Sequence, residues 1–74
     1  MIDVCKLLYE IIKDKRVYDL DFDLIDSGLM DSLSFIEFFY KLEDLGMNIV
    51  VTRIDKEDVR TPRKIQELIR RNNG

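Results

Sequence analysis

The strongest structural signal in this sequence is the stretch Asp31-Ser-Leu-Ser-Phe-Ile-Glu-Phe-Phe-Tyr-Lys-Leu-Glu-Asp-Leu-Gly46. Its apolar residues recur at helical spacing, Asp31 is a good N-cap, and Gly46 suits a left-handed turn that ends a helix. We expect a helix from Asp31 to about Leu45, with Ser32 as its first helical residue. The stripe predicted to face the core consists of Phe35, Phe38, Phe39, Leu42 and Leu45. A neighbouring stripe should stay partly exposed and consists of Leu33, Ile36 and Tyr40.

Upstream of this stretch, the sequence predicts a helix and then a loop. Apolar periodicity indicates an amphipathic helix from about Asp3 to Lys15, with Asp3 as its N-cap. Cys5 falls on the apolar stripe, so we expect a small buried hydrophobe and not a reactive thiol. In residues 16–30, aspartates interrupt the apolar residues without helical spacing. An isolated strand would have no partner here, so we predict an ordered loop anchored by apolar side chains.

Downstream, residues 47–52 predict a short apolar connection and residues 55–59 a single helical turn. Thr61 and Pro62 form a helix start signal, with threonine at the N-cap and proline at the first helical position. The last helix should run from Pro62 to about Arg71. Its inner face is predicted to consist of Ile65, Leu68 and Ile69. The expected fold class is all-α, a small bundle of three main helices with one short third helix and a long first loop.

Composition excludes several kinds of activity. The 74 residues, which we expect to form one domain over 1–74, include no histidine, one cysteine and three glycines. A Ser-His-Asp or Cys-His catalytic arrangement is therefore impossible, and so is a zinc site of the usual Cys/His type. Too few glycines are present for a P-loop or a dinucleotide fingerprint, and the aspartate spacing does not fit a calcium loop. We expect no metal site and no enzyme activity.

The chain also lacks an uncharged apolar run long enough for a signal core or a membrane span. With a single cysteine no internal disulfide can form. Both observations favour a reducing, cytoplasmic location without direct membrane insertion, and a monomer is the expected state.

Charge is unevenly distributed along the chain. Residues 19–44 hold eight acids and one base, whereas residues 53–71 hold seven bases and four acids. An acidic middle argues against binding nucleic acid and suits a partner with a basic docking patch. The same pattern is also compatible with an ordinary solvated acidic surface.

Ser32 combines three features: it follows a long loop, it opens a helix, and it lies between Asp31 and Leu33. Its hydroxyl should be accessible and close to backbone amides that favour a phosphate. Because the chain has no histidine to deprotonate it, this serine is better suited to be the substrate of another enzyme than a catalyst. Taken alone, Asp-Ser-Leu is also ordinary capping chemistry.

The wider context resembles a known family. Two segments resemble the phosphopantetheine attachment region of acyl and peptidyl carrier proteins: Asp-Ser-Gly-Leu-Met-Asp-Ser-Leu (26–33) and, directly after Ser34, Phe-Ile-Glu-Phe-Phe (35–39). Within that superfamily, Gly-Leu-Met-Asp-Ser (28–32) and Asp-Val-Arg-Thr-Pro-Arg-Lys-Ile (58–65) look most like the D-alanyl carrier proteins. Many fatty-acid carriers have Gly-Asp before Ser-Leu, whereas this chain has Met30 in place of that glycine, followed by Asp31.

The resemblance implies a four-helix carrier fold with a covalent 4'-phosphopantetheine arm on Ser32, preceded by the conserved-type acid Asp31. It implies three partners: a phosphopantetheinyl transferase that installs the arm from coenzyme A, an adenylate-forming ligase that loads it, and a downstream acyl or aminoacyl transferase. The cargo would be an activated amino acid or a small acyl group held as a thioester. In the D-alanyl branch it would be D-alanine, which passes on toward teichoic acid. The positions that match partner-binding sites of carriers are Leu33, Ile36, Glu37, Tyr40, Glu43 and Asp44.

Two alternatives stay open. One is a general acyl carrier for fatty-acid, polyketide or nonribosomal peptide synthesis. The other is an unmodified helical protein-interaction module that uses the same helix surface without covalent chemistry. The four phenylalanines leave little room for a long acyl chain inside so small a core, which favours a small and exposed cargo.

Overall fold

The computed structural model describes residues 3–47 and 49–73, and within these ranges the chain forms helices joined by ordered loops without a strand. The α-helices are Val4–Ile12 (α1), Ser32–Asp44 (α2) and Pro62–Asn73 (α3), and the 3₁₀ helices are Lys15–Tyr18, Val51–Arg53 and Lys56–Val59. The all-α prediction is confirmed, and the 3₁₀ helix Lys56–Val59 takes the place of the short third helix. No helix in the described part of the chain is long and apolar enough to cross a membrane.

The core is built around Phe38, which is fully buried on α2 and meets the ring of Phe39 edge-on at 5.4 Å. Phe35 was predicted to belong to the core, but it is only half-buried and packs on Phe39 at 4.8 Å. The inner face predicted for the last helix is confirmed, and the loop between α1 and α2 contributes apolar anchors as expected. The buried side chains from that loop and from α3 are Val17, Leu24, Met30, Pro62, Ile65, Leu68 and Ile69.

The helix starts are those that the sequence predicts. The Asp3 side chain accepts a hydrogen bond from the Lys6 amide at 3.1 Å, which caps α1. Thr61 Oγ1 accepts one from the Lys64 amide at 3.2 Å at the start of α3. The end of α3 lies at Asn73, slightly beyond the predicted end.

The predicted end of α1 was wrong. The helix stops at Ile12, and Lys13 adopts a left-handed conformation with φ 62°, whereas the prediction extended to Lys15. The Asp14 side chain accepts a hydrogen bond from the Arg16 amide at 2.9 Å and begins a separate 3₁₀ helix. The left-handed Lys13 and the second cap at Asp14 therefore end α1 at its last apolar residue, and a new helix begins at Lys15.

The end of α2 shows a second error, at Leu45. This residue was predicted to be core, but it follows the last helical residue and is 59% exposed. Gly46, with φ 92°, donates its amide hydrogen to Glu43 O at 3.0 Å, and Met47 donates its own to Leu42 O at 3.0 Å. These two bonds form a Schellman motif that folds the chain back. Met47 is buried beneath this turn, whereas Leu45 is left outside.

Cys5 lies buried on α1. Burial raises the pKa of its thiol above the ordinary value, and the nearby Asp3 carboxylate raises it further. The prediction that Cys5 acts as a small hydrophobe is confirmed.

Candidate functional site

Ser32 is the first residue of α2 and is exposed to solvent. Asp31 is the N-cap, and its Oδ1 accepts a hydrogen bond from the Ser34 amide at 2.8 Å. That amide is the main reason why the pKa of the Asp31 carboxyl lies below its usual value. The cap fixes the first turn of the helix, so the Ser32 hydroxyl is presented on a rigid element.

The start of α2 is chemically suited to a phosphate ester on Ser32. Amides in the first turn of a helix have no carbonyl partner within the helix and create a positive end. A phosphodiester on Ser32 would lie at that end, while the Asp31 carboxylate is already engaged by the Ser34 amide. The residues present therefore fit a covalent phosphate-linked arm.

The loop that leads to Ser32 is closed by hydrogen bonds. Asp23 Oδ1 accepts from the Ile25 amide at 3.0 Å and from the Asp26 amide at 2.8 Å, which forms a tight turn. The Met30 amide donates to Leu24 O at 2.9 Å and brings the chain back to where the turn began. The side chains of Leu24 and Met30 are both buried, so the loop is anchored on the core immediately before the start of α2.

Two arginines from the C-terminal third bind the acids of this loop. Arg60 Nη1 lies 3.0 Å from Asp23 Oδ2, and Arg63 Nε lies 3.0 Å from Asp21 Oδ1. Neither pair is predictable from the sequence, because the two pairs join residues 37 and 42 positions apart. The only available signal was the acidic block followed by a basic block, and that pattern does not identify partners.

The six residues predicted to meet partners all lie on α2, and all are exposed: Leu33, Ile36, Glu37, Tyr40, Glu43 and Asp44. Their spacing of three and four residues places them on successive turns of one helix face. The apolar members are well exposed, with Leu33 and Tyr40 at 66% and Ile36 at 50%. We refer to these six residues as the α2 face. An exposed apolar strip edged by acids is a surface suited to a transient partner.

Within the described residues, no group of three or more histidine, cysteine or acidic side chains is arranged to hold a metal ion.

A small helical bundle with an exposed serine at the capped start of a helix, next to an acidic and apolar helix face, has the architecture of a carrier protein. No family model matches the chain. It is 36% identical over 70 residues to a D-alanyl carrier protein of Abiotrophia defectiva, and the match covers 92% of this chain and 89% of that protein. The chain therefore belongs to the D-alanyl carrier protein family. Carrier proteins generally carry a covalent phosphopantetheine. They are not enzymes, and as a member of this family the chain is not an enzyme either.

Proposed function

We propose that this protein carries D-alanine as a thioester on a 4'-phosphopantetheine arm attached to Ser32. The observation that carries the proposal is the exposed hydroxyl of Ser32 at the capped start of α2. Membership in the D-alanyl carrier protein family supports the choice of cargo.

The role of Ser32 in attachment is that of a nucleophile activated by its partner. Its Oγ forms a bond to the β-phosphorus of coenzyme A, the bond between that phosphorus and the bridging pyrophosphate oxygen breaks, and 3',5'-ADP leaves. The hydroxyl proton goes to a base of the phosphopantetheinyl transferase, since this chain has no histidine. The helix start then stabilises the new phosphodiester. When bound, the arm supplies a terminal thiol that holds an acyl group in activated form.

The α2 face would meet each partner in turn. An adenylate-forming ligase loads the carrier, and a downstream acyl or aminoacyl transferase receives the cargo. A small apolar strip with acids around it supports fast, weak docking to basic partner surfaces, which a carrier needs in order to leave one enzyme for the next. Because coenzyme A and the ATP needed for adenylation are cytoplasmic, the loading steps belong in the cytoplasm.

Ser32→Ala tests the attachment site, with Ser34→Ala as the matched control two residues further along α2. Each protein is incubated with coenzyme A and a broad-specificity phosphopantetheinyl transferase and weighed intact by mass spectrometry. We expect wild type and Ser34→Ala to gain one arm and Ser32→Ala to gain none while keeping a wild-type circular dichroism spectrum. An arm on Ser32→Ala would refute the site, and no arm on the wild type would leave an unmodified interaction module as the function.

The cargo is tested on the arm-bearing protein. Incubation with ATP, D-alanine and a D-alanine-activating ligase should add the mass of one alanyl group, which hydroxylamine then removes because it cleaves thioesters. If the protein accepts a long acyl chain from a ligase that loads fatty acids onto carrier proteins, and does not accept D-alanine, it is a general acyl carrier instead.

A further inference from the structure

Arg60 lies at the centre of three carboxylates. Its Nη1 is 3.0 Å from Asp23 Oδ2 and 3.4 Å from Asp26 Oδ1, and its Nη2 is 2.7 Å from Glu57 Oε1. The side chain is 27% exposed, so this guanidinium is more enclosed than that of Arg63, which is 53% exposed. A planar guanidinium has several donors in fixed directions, which allows one side chain to bridge the loop before Ser32 and the 3₁₀ helix Lys56–Val59.

The backbone of Arg60 holds the same loop at a second point. Its carbonyl accepts a hydrogen bond from the Leu24 amide at 2.7 Å, and the Leu24 carbonyl accepts one from the Met30 amide at 2.9 Å. Leu24 lies between the two aspartates that bind the guanidinium, and Met30 directly precedes the N-cap Asp31. A continuous series of contacts therefore leads from Arg60 to the residue before the cap of α2.

We propose that Arg60 is a positioning residue for arm attachment: it fixes the loop 23–30 and thereby the place of Asp31 and the Ser32 hydroxyl. This inference rests on the function proposed above.

Arg60 acts on the loop at two points. Its guanidinium holds Asp23 and Asp26, on either side of Leu24 in the sequence, and its carbonyl holds the Leu24 amide. Leu24 in turn accepts a hydrogen bond from Met30.

The expected consequence concerns the chemical step more than docking. A reacting group displaced by about 1 Å can lose up to about 10²-fold in rate. The α2 face is carried by the helix itself and stays intact when the loop loosens. Loss of the Arg60 guanidinium should therefore lower kcat for arm transfer and leave the KM for the carrier nearly unchanged.

The test compares Arg60→Gln with the conservative Arg60→Lys and with Arg70→Gln, a charge-matched control at an exposed arginine near the end of α3. Arm transfer from coenzyme A is measured at a temperature where all four proteins are folded. For Arg60→Gln we expect kcat to fall about tenfold and KM to change by less than about twofold. A tenfold loss in rate is within the range known for a reacting group that is misplaced by less than about 1 Å. Arg60→Lys should recover part of the rate, because lysine keeps the charge but cannot bridge three carboxylates. Arg70→Gln should match the wild type.

Hydrogen exchange of the protein without an arm gives a readout that does not depend on activity. In Arg60→Gln the amides of Leu24 and Met30 should exchange faster, while those of Phe38 and Leu42 in α2 keep their protection. Equal loss of protection in α2 would mean that Arg60 only stabilises the fold and would overturn the proposal. Wild-type kcat and wild-type exchange in Arg60→Gln would overturn it as well. If the wild type accepts no arm at all, the proposed function fails first, and the two failures are thereby distinguished.

Discussion

The acids of the loop and the acids of the α2 face belong to one negative block in the sequence, yet the fold treats them differently. The loop acids lie against arginines from the C-terminal third and are Asp21, Asp23 and Asp26. The acids of the α2 face project into solvent and are Glu37, Glu43 and Asp44. The loop acids hold the chain together, whereas the α2 acids remain available to a partner.

This difference shows that a count of charges along the chain overstates the field that a partner meets. An acid and the guanidinium it pairs with together contribute little to the potential at a distance, even where the acid is exposed, as Asp21 and Asp26 are at 75% and 78%. An exposed acid without such a partner contributes more. The negative field should therefore be concentrated beside Leu33, Ile36 and Tyr40, which are exposed on the same helix.

The largest expected contrast between the two regions lies in their leucines. Leu24 anchors the loop and is fully buried, whereas Leu33 on the α2 face is 66% exposed. Leu24→Ala should lower the free energy of unfolding by about 2–5 kcal/mol because it removes core contacts and leaves a cavity. Leu33→Ala should lower it by less than about 0.5 kcal/mol. Urea unfolding followed by circular dichroism measures both, and similar losses for the two variants would contradict the division.

A smaller contrast is expected in association kinetics. One variant replaces the acids of the α2 face with amides (Glu37→Gln, Glu43→Gln, Asp44→Asn). Its control removes one loop ion pair as a whole (Asp21→Asn together with Arg63→Gln), because Asp21→Asn alone would leave the positive charge of Arg63 behind. Stopped-flow binding to a phosphopantetheinyl transferase at low salt should be several-fold slower for the first variant, because exposed charges steer association. The control should associate at nearly the wild-type rate, and the difference should vanish at high salt. A control that associates as slowly as the first variant would show that pairing with arginine does not screen the loop acids.

The smallest effect is expected in the acid dependence of stability. Arg63 lowers the pKa of Asp21, the Asp26 amide followed by Arg60 lowers that of Asp23, and Arg60 lowers that of Glu57. Because these carboxyls have lower pKa values in the folded state than when unfolded, the unfolded chain binds more protons in acid. The stabilisation is fully present above the ordinary values of 4.5 for Glu57 and 3.8 for the aspartates, and it is lost as the pH falls below them.

Urea midpoints measured from pH 7 to pH 3 check this dependence. The wild-type midpoint should be insensitive to these groups near neutral pH and should fall in the acid range. Arg60→Gln should show a shallower fall, because the carboxyls that lost their partner regain pKa values nearer to the ordinary ones. If the urea midpoint of Arg60→Gln falls just as steeply, groups other than these carboxyls determine the loss of stability at acid pH.

Local signals were sufficient to predict the helix starts and the position of Ser32 at the exposed start of α2. Asp31 and Thr61 are caps whose action depends on residues three positions away, so the sequence alone specifies them. The exposure of Ser32 and of the apolar strip on α2 follows from the same helical period.

Long-range and end effects could not be predicted in the same way. Leu45 continues the helical spacing, but the helix stops before it, and the Schellman turn at Gly46 buries Met47 in its place. The pairing of Arg60 with Asp23 depends on how loop and 3₁₀ helix meet in space, which no local pattern encodes. For this reason the sequence contains a signal for Ser32 as a candidate site but none for the pairing of Arg60 with the loop before it.

The burial of Cys5 makes the protein easy to interrogate by thiol labelling. It is the only cysteine of the chain, and its raised pKa keeps the reactive thiolate scarce at neutral pH. On the native arm-bearing protein, a maleimide would consequently modify the cofactor's sulfur and spare the polypeptide's own. Reagent uptake would then titrate vacant carriers directly, and its decrease on addition of ligase and ATP would follow charging in real time without a radioactive substrate.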